Sequence, residues 1–331
     1  MSTRLAVLVA AVAVGACYAP DYHDPTCGTG GACPSGYTCS GVEGGLCVAV
    51  TDAAPADAAA DAAAPVDAAP NPRRCAASTP FGDLKPVMGA NGAASEWGAS
   101  LSLDELTLYL SYEENGPIQV AMRATPEGAF QPPAVLTDLH GDPLVGRNPF
   151  ITDNDDGSET LFLDREVGGV AFDRDFYFTK RADRNRPFDP VRSFGDRSLN
   201  TDAHETDLCF IGEEMYFLRA GVVQRSGAKS PPAPITALGD HNYSIAVSRD
   251  GLELFVAHQA GSERPDIWVA RRASATAPFA APEPVAELAH DGANVFQYPE
   301  WLSPDGCRIY FTSNRPGGKG ALDLWQASRT P

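Results

Sequence analysis

Hydrophobic and polar residues alternate in five short segments of the chain, and each segment follows a turn of the same kind. The turns are built on Asp-Gly or a close variant, and the strands that follow alternate Leu, Tyr, Phe and other apolar residues. A period near fifty that contains several strands is typical of a β-propeller, in which each repeat forms one blade. Measured from the turn residues, the steps are 52, 55, 39 and 55 residues, the turn residues being Glu105, Gly157, Gly212, Gly251 and Gly306.

A third and a fourth strand complete most repeats. The third is rich in β-branched and aromatic residues and mostly ends in a basic residue. The fourth is marked by Phe, Pro and Val, most clearly at 279–285 and more loosely at 130–135 and 188–191. The last repeat has no such segment, but residues 81–87 repeat the spacing of 279–285. We therefore predict an all-β fold, a five-bladed propeller whose last blade is closed by an N-terminal strand, which removes exposed sheet edges.

The start of the chain has the pattern of an export signal. A short basic start precedes an apolar run at 5–14, which is too short to span a bilayer and is followed by small residues. The run ends in Val14-Gly15-Ala16-Cys17, which resembles a bacterial lipobox with Val in place of the usual Leu. The resemblance implies a signal peptide at 1–16 and a lipid on Cys17 as the sole membrane anchor. By analogy with the bacterial sorting rule, Tyr18 implies the outer membrane rather than the inner one. An ordinary signal peptide is the alternative.

Eight cysteines in an exported chain favour disulfides. Cys27, Cys33, Cys39 and Cys47 lie in a Gly-rich module at 17–50 and allow three pairings, of which Cys27–Cys39 with Cys33–Cys47 is the most compact. A metal site is the alternative, although the spacings exceed those of zinc knuckles. The other cysteines are Cys75, Cys209 and Cys307, an odd number, so at least one is free or pairs elsewhere.

A spacer separates this module from the body of the chain. Residues 51–72 are almost wholly Ala, Asp, Pro and Val. Repelling acids and helix-blocking prolines predict a disordered, extended linker. The body at 73–331 is long enough for one large all-β domain, the propeller.

The body resembles the WD40-like repeats, called PD40, of TolB-type propellers. The resemblance rests on Ser303-Pro304-Asp305-Gly306 with Asp323-Leu324-Trp325, and on Ser248-Arg249-Asp250-Gly251 with Asp266-Ile267-Trp268; the first three repeats are degenerate. It supports the fold more than any function, because propellers serve many tasks. TolB has a separate N-terminal α/β domain that this chain lacks, so a TolB role does not carry over.

Four of the six histidines stand just before predicted first strands, each with an acidic residue nearby. If the blades close as predicted, they share one face, where imidazoles and carboxylates could bind a polar ligand or a divalent metal. The alternative is that these histidines are solvated turn residues that share a repeat ancestry and bind no ligand. No cofactor is predicted. The candidate ligand-binding residues are His140, His204, Glu205, Asp240, His241, His290 and Asp291.

The segment 153–159 is similar to a calcium loop, but its glycine is fifth where an EF-hand needs it sixth. No motif for a nucleophile, a metalloprotease or a phosphate loop is present. Acids near first strands include Glu96, Asp207 and Glu300, but their spacing does not single out a catalytic pair.

A net charge of −18 argues against nucleic acid as a partner. The main prediction is a monomeric, lipid-anchored envelope protein that binds protein or glycan on a propeller face without catalysis. The alternative is a carbohydrate-active enzyme, like a glycosidase, in the propeller channel. A buried pair of carboxylates at the channel mouth, with one pKa raised, would favour the enzyme, and a shallow face would favour the binding protein.

Overall fold

The described part of the protein is all-β. Its helical residues form one 3-10 turn, Thr236–Leu238, and none of them lies in a helix of the length and apolar character that a bilayer span requires. The computed structural model describes residues 37–39, 47–49, 74–112, 116–168, 173–227, 230–261, 263–290, 292 and 294–331.

The described residues fall into two units, one within residues 1–65 and the other within residues 66–331. In the first, β1 (Tyr37–Cys39) and β2 (Cys47–Ala49) form an antiparallel pair in which Cys39 lies opposite Cys47. The predicted lipid attachment and the 51–72 linker lie outside the described residues, as do Cys27 and Cys33, so the lipidation, the linker and the pairing of these cysteines stay predictions.

The second unit is a five-bladed propeller of four-stranded antiparallel sheets. It begins with β3 (Gly82–Pro86). Blade 1 contains β4 (Glu96–Leu101), β5 (Thr107–Tyr112), β6 (Ile118–Met122) and β7 (Ala134–Val135). Blade 2 contains β8 (Arg147–Asp153), β9 (Glu159–Glu166), β10 (Arg174–Arg181) and β11 (Arg192–Ser193). Blade 3 contains β12 (Glu205–Ile211), β13 (Glu214–Arg219), β14 (Val222–Gly227) and β15 (Ser230–Pro234).

Blade 4 contains β16 (Asn242–Val247), β17 (Glu253–His258), β18 (Asp266–Arg271) and β19 (Glu283–Pro284). Blade 5 contains β20 (Gln297–Leu302), β21 (Arg308–Ser313) and β22 (Asp323–Ser328), and its fourth strand is β3 from the start of the unit. The first strands β4, β8, β12, β16 and β20 contact one another in turn, and β20 contacts β4. The predicted fold and its closure by an N-terminal strand are confirmed.

Successive side chains of each second strand point to opposite faces of the sheet, so they pack each blade against both of its neighbours. In β5, Leu108 and Leu110 join a buried cluster with blade 5, whereas Tyr109 between them joins the cluster with blade 2. The same division separates Tyr216 from Phe217 in β13. Five such clusters lie between successive blades. The period of two in the sequence therefore builds the interfaces on which this ring depends.

A cation–π stack that recurs in four blades explains two features of the sequence, the basic residue at the end of the third strand and the Phe at the start of the fourth. The basic residue that ends the third strand places its guanidinium over the Phe that marks the fourth strand, a cation–π contact. The distances to the ring centres are 4.3, 4.4, 4.6 and 4.5 Å for Arg123–Phe130, Arg181–Phe188, Arg272–Phe279 and Arg329–Phe81. In blades 1, 4 and 5 the same Arg also donates from Nε to a carbonyl of the Asp-Gly-type turn.

Glu105 occupies the turn position at which the other repeats have Gly. It adopts the left-handed conformation with φ 60°, which a side chain makes costly. Its carboxylate bonds Nε and Nη2 of Arg308 at 2.7 Å each and accepts from Tyr310 Oη at 3.1 Å. The side chain thus links blade 1 to blade 5, and these charge-assisted bonds offset the strain.

Two cysteines join the ends of the propeller. Cys75 forms a disulfide with Cys307, 232 residues away in sequence, in the turn before β21. Cys209 is a free, buried thiol whose pKa is raised by burial. The prediction that at least one of these three cysteines is free or pairs elsewhere is therefore confirmed.

Candidate functional site

A cavity of about 240 Å³ opens on the propeller axis, where the first strands of the blades begin. All five inner strands contribute to its wall, which is the arrangement expected for a channel mouth. The contributions include Gly98 from β4, Asn148 from β8, Asp207 from β12, Ser244 from β16 and Glu300 from β20.

Each inner strand carries a β-bulge at this level. The register with the second strand shifts between Trp97 and Ala99, between Thr206 and Cys209, and at the corresponding point of the other three strands. The residues that the bulges leave unpaired include Gly98, Asp207 and Glu300, which line the cavity. A bulge re-aims side chains out of the ladder, and bulges are common beside active sites.

Asp207 is the first of two carboxylates in the cavity. It is half-buried, since one side faces the cavity while strands enclose the rest. Burial raises its pKa well above the usual value, and the negative charges of Asp164 and Glu300 raise it further, while Arg147 opposes them. Its surroundings therefore favour the protonated, neutral form of Asp207.

Glu300 is the second carboxylate. Burial raises its pKa to about 7, although the Arg147 charge and backbone N–H groups favour the ionised form. The amide of Ala99 donates to Glu300 Oε2 at 3.1 Å. Glu300 also lines a larger cavity, of about 780 Å³, that opens at the opposite end of the inner strands. It is thus better stabilised as an anion than Asp207, and the two acids differ in proton affinity.

Asn148 links Asp207 to a further carboxylate, Asp164. Asn148 Nδ2 donates to Asp164 Oδ2 at 2.7 Å and to Asp207 Oδ2 at 3.2 Å. Arg174 Nη1 bonds the other oxygen of Asp164 at 2.9 Å. Asn148 and Asp207 both adopt left-handed backbone, with φ 47° and 56°. Strained residues of this kind cluster at functional sites, because surrounding contacts must hold them.

Aromatic rings and a cation form the rest of the wall. The rings of Trp97 and Tyr298 lie 5.8 Å apart between centres, and Arg147 lies over Trp97 at 5.1 Å. Burial raises the pKa of Tyr298 to about 12. Apolar ring faces beside a few convergent polar groups are the usual make-up of a small-molecule site.

The structure separates the residues predicted for ligand binding. His204 lines the channel cavity and a neighbouring one, and Asp240 and His241 line the neighbouring one. His140 and His290 are exposed and line none of these cavities.

The two remaining candidates of that set are Glu205 and Asp291. Glu205 is fully buried and bonds Arg219 Nε at 2.7 Å, so it anchors blade 3 rather than facing a ligand. Asp291 lies outside the described residues.

The calcium-like segment serves the turn between β8 and β9. Asp153 pairs with Arg184 at 2.9 Å, and Asp156 accepts the amide of Ser158 at 2.9 Å. Among the residues that the structure describes, no group of three or more His, Cys, Asp or Glu side chains is arranged to hold a metal ion.

Sequence reasoning missed Gly98, Asn148 and Asp164. They stand in three different strands and match no motif. For Gly98 and Asn148 the available signal was their place in the repeat, the bulge position that Asp207 occupies in the next inner strand, but a bulge leaves little trace in a pattern of period two.

No protein-family model and no curated protein matches the chain. Among solved structures, the GH43_1 enzyme from Xanthomonas citri complexed with xylotriose is 12% identical, with a TM-score of 0.52, and the match covers 74% of this chain and 89% of that one. The catalytic domain of the Coprinopsis cinerea GH62 α-L-arabinofuranosidase is 12% identical, with a TM-score of 0.49, over 78% of this chain and 98% of that one. At 12% identity, the similarity to the X. citri structure shows the fold alone.

The prediction of a non-enzymatic binding or scaffold protein is wrong. The X. citri structure that shares the fold is titled a GH43_1 enzyme, and the channel mouth holds the feature expected of an enzyme, two half-buried carboxyl groups in one cavity with raised pKa values. The alternative reading, a carbohydrate-active enzyme in the propeller channel, is the better supported of the two.

Proposed function

We propose that the protein is a carbohydrate-active enzyme that hydrolyses a glycosidic bond in the channel cavity. The observation that carries this proposal is the pair Asp207 and Glu300, two carboxyl groups in one cavity whose surroundings give them different proton affinities. Glycoside hydrolysis uses such a pair, one acid to protonate the leaving oxygen and one carboxylate on the other side of the bond.

Asp207 is the general acid in this proposal. Its enclosure by the strands and the negative charges of Asp164 and Glu300 raise its pKa and favour the form that carries a proton. As the bond between the anomeric carbon and the leaving oxygen breaks, Asp207 gives its proton to that oxygen, and the departing sugar leaves as an alcohol.

Glu300 is the second carboxylate. The Ala99 amide and the Arg147 charge favour its anion. It either takes a proton from the attacking water or attacks the anomeric carbon, and water then releases the sugar. Proton NMR of the first-formed anomer separates the two routes, because the first inverts and the second retains the configuration.

The other cavity residues bind and position the substrate. The faces of Trp97 and Tyr298 offer apolar surface to a sugar ring, and Arg147 offers hydrogen-bond donors to its hydroxyls. Asn148 fixes Asp207 relative to Asp164. A cavity of about 240 Å³ suits one sugar unit rather than a long chain.

The test is a hydrolysis screen on the wild-type protein and three variants. The panel contains nitrophenyl glycosides of arabinofuranose, xylose, galactose and glucose, with xylo-, cello- and galacto-oligosaccharides. Xylo-oligosaccharides come first, because the X. citri structure contains xylotriose. We expect Asp207→Asn and Glu300→Gln each to lower kcat about 10²- to 10⁴-fold.

Glu96→Gln is the matched control. Glu96 is also a buried glutamate of an inner strand with a pKa raised to about 7, but it lies outside the channel cavity. It should keep wild-type activity. Hydrolysis of no member of the panel, or full activity in Asp207→Asn and Glu300→Gln, would reject the proposal.

We also propose that the enzyme is exported and anchored at the outer membrane through Cys17, as the lipobox-like sequence indicates. Labelling the full chain with an alkynyl fatty acid in a bacterial host tests this. Label that is retained after Cys17→Ser would contradict it.

A further inference from the structure

A second cavity, of about 440 Å³, adjoins the channel cavity between blades 3 and 4. Three residues, His204, Thr206 and Tyr243, line both cavities, so the two are neighbours separated by these side chains. A ligand unit in the channel cavity and a unit in the second cavity would therefore meet at these side chains.

Tyr243 offers a flat platform at this boundary. Its side chain is 46% exposed, which is unusual for a large aromatic residue of an inner strand. Its hydroxyl donates to Gln259 Oε1 at 2.6 Å, which fixes the ring. A fixed, exposed aromatic face beside a reaction cavity is suited to the apolar face of a sugar ring.

Asp240 and His241 provide polar groups on the other side of the second cavity. Asp240 Oδ1 lies 2.7 Å from His241 Nδ1, and both side chains are exposed. Asn242 sets their position, because it is buried and its amide donates to Gly221 O at 3.1 Å and Gly239 O at 3.2 Å. A carboxylate and an imidazole at a rim can bind neighbouring hydroxyls of one sugar.

We propose that this second cavity is a saccharide subsite, and that the substrate is an oligosaccharide that runs from the channel cavity across Tyr243 to Asp240 and His241. This inference rests on the proposed function and adds the direction and minimum length of the substrate. It also gives a role to Asp240 and His241, which the sequence analysis selected only by their position before a first strand.

The experiment compares substrates of increasing length on the full chain. For the sugar series that wild type cleaves, kcat/KM is measured for the nitrophenyl monoglycoside and for oligosaccharides of two to five units. We expect the added subsite to raise kcat/KM about tenfold, which corresponds to about 1.4 kcal/mol.

The variants are Asp240→Ala and His241→Asn; asparagine tolerates the left-handed backbone of His241, φ 63°. Both variants should lose the increase in kcat/KM with oligosaccharide length, and both should cleave the monoglycoside with the kcat/KM of wild type. His140→Ala, an exposed histidine outside the cavities, should behave as wild type throughout. A length dependence that these two variants leave unchanged, or none in wild type, overturns the proposal.

Calorimetric titration with the same oligosaccharides separates this inference from the proposed function. If nothing is cleaved, the proposed function fails. Binding that weakens in Asp240→Ala and His241→Asn then still supports the subsite, whereas no binding to wild type rejects it.

Discussion

The guanidinium of Arg329 lies 4.5 Å from the centre of the Phe81 ring and joins the last strand of the chain to the strand that closes the propeller. The same stack occurs inside blade 1, where Arg123 lies 4.3 Å from Phe130. Closure of the ring therefore repeats the contact found in blades 1, 2 and 4, whose four strands are continuous in sequence. The strand β3 is a true fourth strand, although it comes from the other end of the unit.

Phe81→Ala should lower the free energy of unfolding by about 3–5 kcal/mol, because a buried ring is lost. Phe81→Leu keeps most of the apolar area and should lose only the cation–π part, about 1–2 kcal/mol. Urea denaturation measures both. Phe130→Ala is the matched control inside a continuous blade, and we expect a similar loss. A much smaller loss at Phe81 than at Phe130 would mean that β3 contributes little to closure.

The fold could be predicted because its determinants repeat. The turns fix where second strands begin, and Phe81 could be matched to Phe279 by spacing alone. The fourth strand of blade 3, Ser230–Pro234, could not be predicted, because its prolines argue against a strand. Its position at the sheet edge, where one side needs no partner, makes those prolines tolerable.

Gly98→Ala should damage the site more than the fold. A Cβ at Gly98 would lie 2.5 Å from Asn148 Oδ1 and 2.7 Å from Asn148 Cα, at a backbone φ of 46°. Asn148 must move, and its bonds to Asp164 and Asp207 weaken, so we expect kcat to fall by at least about tenfold, since small misplacements at a site are costly.

Gly157→Ala is the control for Gly98→Ala. Gly157 also has positive φ, 82°, but a Cβ there meets nothing within 4 Å. Both variants should lose about 1–2 kcal/mol for the left-handed backbone. Equal activity in the two proteins would show that Asn148 does not depend on Gly98.

The site could be predicted only in part. Asp207 and Glu300 stand out as acids near first strands, but only the ring of bulges brings these two to one cavity, and a bulge is decided by packing between blades rather than by local sequence. Their position in the repeat predicted the same role for all four histidines. In the structure, His204 and His241 line cavities, whereas His140 and His290 are exposed to solvent.

The activity should have a bell-shaped dependence on pH. The rising limb follows ionisation of Glu300, whose pKa is about 7, and the falling limb follows deprotonation of Asp207 at higher pH. The Asp164 charge raises the pKa of Asp207, so Asp164→Asn should move the falling limb to lower pH. Profiles of kcat/KM for the two proteins measure this. A falling limb that stays in place would exclude Asp207 as the group responsible.

Glu96 should make the protein less stable as the pH rises. Burial raises its pKa from 4.5 to about 7, so between these values the folded state binds more protons than the unfolded state, and stability falls with increasing pH. Glu96→Gln cannot ionise. It should gain up to about 3 kcal/mol over wild type near pH 8 and nothing comparable near pH 5. Urea denaturation at both pH values checks this, and an equal difference at both would contradict it.

The disulfide between Cys75 and Cys307 also determines how the propeller responds to mechanical force. A pull on the chain before Cys75 reaches the turn ahead of β21 through the disulfide, because Cys307 stands next to that strand. Without the bond, the same pull would peel β3 from β22 one hydrogen bond after another. The covalent link carries tension past the closing strand, so the ring can stay shut while the polypeptide leading into it is stretched.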